Sequence, residues 1–150
     1  MEAEHGLGVV VPHRAQRAAL QQAVPRLNVV DPLTGEVVRS AVDTVERFQG
    51  DERSAIVVGA TESDPQYLLG SSEFLLDPRR LTVALSRAKE KLILVAAGSI
   101  FSLLTPNEEA FANAQLWKNL LRRTCTVPLW RGERDRRQVE VWGNQSGRGA

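Results

Sequence analysis

The chain has 150 residues, 43% of them hydrophobic, enough for one domain with a sizeable buried core. Its 19 Lys and Arg against 18 Asp and Glu leave a net charge of +1, which excludes whole-surface attraction to a polyanion; any such contact must be local. The lone Cys125 excludes an internal disulfide framework and a cysteine-based zinc site.

Met1 to Leu7 includes Glu2 and Glu4 and lacks a basic n-region and an apolar h-region, so no secretory signal is expected. No apolar run approaches the roughly 18 residues of a membrane helix. The expected setting is soluble, reducing and cytoplasmic, without a membrane partner. Gly8 to Val11 is a short apolar run ending at Pro12, the form of a strand buried on both faces. Such an early start suits a native domain and a fragment of a longer chain alike. Arg14 to Val24 reads as a helix with Ala15, Ala18, Ala19 and Ala23 on one side, ended by Pro25. Asn28 to Glu36 reads as a loop, with Asp31-Pro32 and Thr34-Gly35 as turn signals.

A second strand is expected over Val37 to Val45 and a third over Ala55 to Ala60. Asp77 is a good N-cap and Pro78 a good first helical residue, so a helix is predicted from there to about Lys89. Leu92 to Ala97 makes a fourth apolar strand, and Glu108 to Arg123 a further helix, with Phe111, Ala114, Leu120 and Leu121 among its apolar positions. Trp117 in that helix reads as core. Alternating helices and fully apolar strands indicate an α/β fold with a parallel sheet covered on both faces. The last quarter differs. Val127 to Trp130 and Val139 to Trp142 resemble two short strands around a charged link, Arg131 to Gln138, which reads as a solvated turn. Trp130 and Trp142 either pack on each other or offer platforms for bases. Gly143 to Ala150 has no core-forming residues.

Three polar segments carry the chemistry, each read as lying beside the C-terminal end of a strand, where open α/β sheets bind ligands. They are Pro12-His-Arg-Ala-Gln-Arg17, Val42-Asp-Thr-Val-Glu-Arg-Phe-Gln-Gly-Asp-Glu-Arg53 and Asp77-Pro-Arg-Arg-Leu-Thr-Val-Ala-Leu-Ser-Arg-Ala-Lys89. On the third, Arg80, Ala84 and Arg87 follow i, i+4, i+7 spacing, so two guanidinium groups share one helix face. Only Lys89, Lys91 and Lys118 among the 19 basic residues are lysines. That excess of arginine reads equally as genome composition or as phosphate chemistry.

Taken in order, the three segments resemble motifs IV, V and VI of the Upf-like group of superfamily 1B helicases, and more distantly the UvrD and Rep group. The resemblance covers about residues 8 to 125, and Leu116-Trp-Lys-Asn-Leu-Leu121 resembles a segment often found after motif VI. It implies a RecA-like fold and a two-part organisation, with 1–125 the C-terminal RecA-like lobe and 126–150 an extension. It also implies roles. Arg87 matches the motif VI arginine on the γ-phosphate, where a rigid, always-charged fork suits the transferring oxygens. Arg17 matches the motif IV arginine on the same phosphate. Glu52 matches the motif V glutamate that accepts hydrogen bonds from ribose hydroxyls, and Gly50 permits the turn before it. Thr44 and Gln49 match the loop that touches the nucleic-acid backbone. His13 stands where the group usually has a tyrosine packed on adenine. One of Arg79 and Arg80 is expected to anchor its helix through Asp77 or Glu73.

No Gly-x-x-x-x-Gly-Lys-Ser/Thr segment occurs, and none of the three lysines follows a glycine. No Asp-Glu pair follows an apolar strand to hold magnesium. In the group this chain resembles, those parts belong to a preceding lobe. The resemblance therefore implies half of an ATP-dependent motor, using ATP with Mg2+ and single-stranded DNA or RNA, and a first lobe in cis or as a separate chain. Alone, such a half should not turn over ATP. The alternative is a split-gene or remnant module that binds a partner lobe or nucleic acid without turnover.

Overall fold

The computed structural model describes residues 6–44, 52–60, 79, 82–83, 86–102 and 108–144. Strand β1 (Leu7–Val11) leads into α1 (Arg14–Ala23), after which β2 (Asn28–Val30), β3 (Val37–Ser40) and β4 (Val42–Thr44) follow. Then come β5 (Arg53–Ala60), β6 (Ala88–Ala96), α2 (Glu108–Asn119), β7 (Val127–Arg134) and β8 (Arg137–Gly143). Strands β4-β1-β5-β6, in that spatial order, form a parallel sheet.

Alternation along the strands divides the apolar side chains between the two faces of the sheet. Val9, Val11 and Val42 gather on one with Leu20 of α1 and Leu27. Val10, Ile56, Val58 and Ala60 gather on the other with Ile100 and with Ala114 and Trp117 of α2. Trp117 is 1% exposed, and Phe101 meets its ring edge-on at 6.3 Å between centroids. This is the RecA-like α/β architecture, with β7 and β8 as a separate antiparallel hairpin beyond it.

Three local expectations change, and the alanine side of α1 is now placed. The alanines of α1 face outward: Ala15, Ala18, Ala19 and Ala23 are all exposed, and Leu20 turns to the sheet with Gln16, Arg17 and Gln21 beside it. Leucine removes more apolar area from water than alanine, so it sets the helix rotation. The expected loop 28–36 is the start of a hairpin, β2 pairing antiparallel with β3. Its β-branched Val29, Val30, Val37 and Val38 favour strand, and Asp31 closes the turn by accepting from Leu33 N at 2.7 Å while Gly35 takes φ +72°. The second strand is thereby split, and Ala41 separates β3 from β4.

The helix before β6 does not reach Lys89. Backbone at Arg79, Thr82 and Val83 is helical, but β6 begins at Ala88, paired with Arg53. The polar run Lys89-Glu90-Lys91 hides this strand from a reading based on apolar residues; the ladder to β5 extends it. Finally, most of the charged link 131–138 is strand. Arg131 pairs across the hairpin with Glu140 (2.6 Å), and the turn itself is only Asp135-Arg136.

Candidate functional site

Strand direction decides which of the candidate residues can meet. His13 and Arg17 follow β1, and Thr44 ends β4, so all three lie at the C-terminal edge of the sheet. Glu52 precedes β5 and Arg87 precedes β6, so both lie at the N-terminal edge. Asp43 is level with Val10, and Val10 with Val58. Glu52 is six residues back from Val58, which at strand rise is ~20 Å. The reading that gathers all three segments at one end of the sheet is thus corrected. Apolar runs mark strands without their flanking segments saying which end a polar residue occupies.

At the N-terminal edge, Arg53 N–H donates to Arg87 O at 2.9 Å, tying the start of β5 to the residue before β6. The Arg53 side chain is buried, and its Nη1 donates to Glu52 O at 3.0 Å. Glu52 is exposed and its carboxylate meets Lys89 Nζ at 3.1 Å. Arg87 is half-buried, and its Nε is shielded from solvent with no hydrogen-bond partner among the described residues. A buried donor without an acceptor costs about 1–3 kcal/mol, so this edge favours an incoming anion or acceptor; Arg17 Nε at the other edge is equally shielded and makes no hydrogen bond among the described residues, but it has Asp43 as an ion-pair partner. A nucleotide's phosphate and sugar fit that donor set.

The C-terminal edge is differently committed. Arg17 Nε lies 3.4 Å from Asp43 Oδ1, both side chains less than a third exposed. The same Oδ1 accepts from Thr44 N–H at 2.8 Å. Thr44 is buried. His13 is the N-cap residue of α1 in extended conformation, its carbonyl accepting from Arg17 N–H at 3.1 Å; its side chain makes no capping hydrogen bond. One phosphoryl group cannot bridge Arg17 at this edge and Arg87 at the other, nor one nucleoside His13 and Glu52. Gln49 and Gly50 lie outside the described residues, as do Arg80, Asp77 and Glu73.

Sequence reasoning passed over Asp43, Arg53 and Lys89, which fix the two edges. Asp43 stood beside Thr44 in the second segment, but nothing in the sequence pairs it with Arg17; that requires β4 to lie next to β1. Among the described residues no helix is long and apolar enough to cross a membrane, and no three His, Cys, Asp or Glu side chains gather to hold a metal ion.

A family model described as an AAA domain matches residues 1–99. The chain is 33% identical over 115 residues to a Regulator of nonsense transcripts 1 homolog of Drosophila melanogaster, covering 77% of this chain and 8% of that protein. It is 31% identical over 115 residues to the ATP-dependent helicase NAM7 of Saccharomyces cerevisiae, covering 77% and 10%. Against the DNA replication ATP-dependent helicase/nuclease DNA2 of Mus musculus it is 41% identical over 97 residues, covering 65% and 8%. It therefore spans about a tenth or less of the length of these relatives.

Proposed function

Since this chain belongs to the Upf-like group of superfamily 1 helicases, we propose that it works as the second RecA-like lobe of an ATP-dependent helicase. A first lobe, in cis or as a separate chain, supplies the phosphate loop. Arg87 reaches across the interlobe cleft to the γ-phosphate, and Glu52 accepts hydrogen bonds from the ribose, with Gly50 shaping the segment before it. Support comes from the bond between Arg53 N and Arg87 O, which sets Glu52 and Arg87 side by side at one sheet edge. The shielded, unpartnered Nε of Arg87 suits the same role.

Bound ATP brings the phosphoryl group whose charge must be met in the transition state. The planar guanidinium of Arg87 offers donors to it without reorganising. Magnesium would be held by the other lobe, and no part of this chain's role runs through it. Arg17 is assigned to the ion pair with Asp43 instead of the phosphate, and His13 to the first turn of α1 instead of the adenine. Thr44, which closes β4 at the opposite edge, and Gln49 after it in the sequence are assigned to the contact with a single strand of DNA or RNA.

The test is turnover in the two-lobe protein. Arg87→Ala should lower kcat by about 10³-fold, the scale of arginine-finger losses, with little change in nucleic-acid affinity. Arg87→Lys, which keeps the charge but not the fork, should recover only part of it. A variant with Ala at this position that keeps more than about a tenth of wild-type turnover, far above that scale, would remove Arg87 from the site.

A further inference from the structure

The hairpin of β7 and β8 has two unlike faces. On one, Arg131 pairs with Glu140, whose other oxygen accepts from Trp142 Nε1 at 3.1 Å. The register puts Trp130 opposite Val141, Gly132 opposite Val139, and Arg134 opposite Arg137, all on the other face. That second face carries no acidic residue. Trp130 and Trp142 thus sit on opposite sides and do not pack on each other. Trp130 is half exposed, and its six-membered ring lies over Gly132, where any Cβ would fall 2.4 Å from it. Glycine here keeps the ring against the strand.

The tip of the hairpin carries two local costs. Arg134 and Arg137 are cross-strand neighbours of like charge, an arrangement that destabilises a hairpin. Arg136 takes φ 62° after Asp135 at φ 50°, a two-residue turn in which Asn-Gly is the relaxed choice. Arg134, Arg136 and Arg137 are all exposed. Positive charge crowded at the tip, three arginines against the single Asp135, and held against conformational and electrostatic preference, is stabilised by an anion. An aromatic ring on the face of Arg134 and Arg137 narrows the class. Arginine recognises phosphate, and an exposed indole stacks on bases, so the pair suits a single strand of nucleic acid more than an acidic protein surface. From Trp130 to Arg134 is ~13 Å along the strand, room for a single strand to lay a base on the ring and bring neighbouring phosphates to the tip.

We infer that the Trp130 face of this hairpin is a second contact for single-stranded nucleic acid, with Trp130 stacking on a base and Arg134, Arg136 and Arg137 holding phosphates. The inference rests on the proposed nucleic-acid role of the lobe but uses none of its residues. It also explains why the hairpin's apolar residues stay open: Leu129, Val139 and Val141 are exposed beside the ring.

The test measures anisotropy of labelled oligothymidylate and oligouridylate with the full chain across a salt series. Arg134→Gln with Arg137→Gln should reduce the slope of log affinity against log salt by about 1.4, two phosphate contacts on a single strand. Trp130→Ala should weaken binding by about 5- to 150-fold with the slope unchanged. Asp135→Asn with Arg136→Gly relaxes the turn and so keeps the hairpin folded. It should still lower the slope by about 0.7, and Gln138→Ala, on the other face, should change nothing. Preference between the two oligonucleotides reads out DNA against RNA. The inference is overturned if the wild-type chain binds neither strand, or if Gln138→Ala weakens binding as much as the tip variants. It is equally overturned if poly-glutamate competes more strongly than either oligonucleotide, which would make the partner an acidic protein. Unchanged affinity in all hairpin variants, with Thr44→Ala still weakening it, would sink the hairpin site and leave the lobe assignment standing. That assignment fails separately, through turnover in Arg87→Ala.

Discussion

Arg17 is where resemblance and geometry part, and its replacement by alanine tells them apart. In the phosphate role, Arg17→Ala would cost the two-lobe protein about 10³-fold in kcat. In the ion-pair role it costs stability. Arg17 Nε and Asp43 Oδ1 are 3.4 Å apart, with side chains 30% and 25% exposed. That separation is long for a charge-assisted bond, which runs about 2.7–2.9 Å. The coupling should therefore sit near the top of the range for surface pairs, about 1 kcal/mol, and not above it. Asp43→Ala should cost more than Arg17→Ala, because it also removes the acceptor of Thr44 N–H. Urea unfolding of Arg17→Ala, Asp43→Ala and the double variant yields the coupling as the departure from additivity. In parallel, kcat of Arg17→Ala should stay within about threefold of wild type, far from finger-scale losses. Additive stabilities together with a finger-scale loss of turnover would return Arg17 to the active site.

Three further outcomes are expected from the same packing. Trp117→Ala should destabilise by about 3–5 kcal/mol. Trp117→Phe should cost less, since it leaves a smaller cavity and Nε1 has no hydrogen-bond partner among the described residues to lose; an equal cost for the two in urea unfolding would refute this account of the packing. His13→Ala and His13→Tyr should leave ATP affinity of the two-lobe protein unchanged. A loosening by about 1–3 kcal/mol in the alanine variant, measured by titration of a labelled nucleotide, would put the ring on adenine after all. The isolated chain should hydrolyse no ATP above background with or without a single strand, and turnover in material cleared of contaminating ATPases would refute its reading as half a motor.

The architecture was legible because apolar runs such as Gly8–Val11 and Ala55–Ala60 are too short for helices and rich in β-branched residues, the form of buried strands. Trp117 belonged to the core for a similar reason: it sits in an amphipathic helix too large and apolar to leave in water. Errors arose where a local signal was weak or a tertiary partner overrode it. Lys89-Glu90-Lys91 looks like the end of a helix until β5 supplies a ladder for it. Asn28–Val30 looks like a loop until Val37–Ser40 returns to pair with it. Arg131–Arg134 looks like a solvated link until Glu140 stands opposite.

The candidate site was legible as residue types but not as a place. A motif fixes the order of residues along the chain and leaves their position in space open. In a parallel sheet, however, the segment before a strand and the segment after it lie at opposite edges, about a strand's length apart. Thr44 and Glu52 are eight positions apart in one continuous motif, yet the first closes β4 and the second opens β5. Arg17 and Arg87 are both arginines near helix ends, yet one follows its strand and the other precedes it. Knowing that the strands are parallel is enough to separate them, because every strand then presents its start to one edge and its end to the other. The grouping of Arg87 with Glu52, and of Arg17 with Asp43, is a consequence of strand polarity before any side-chain distance is measured.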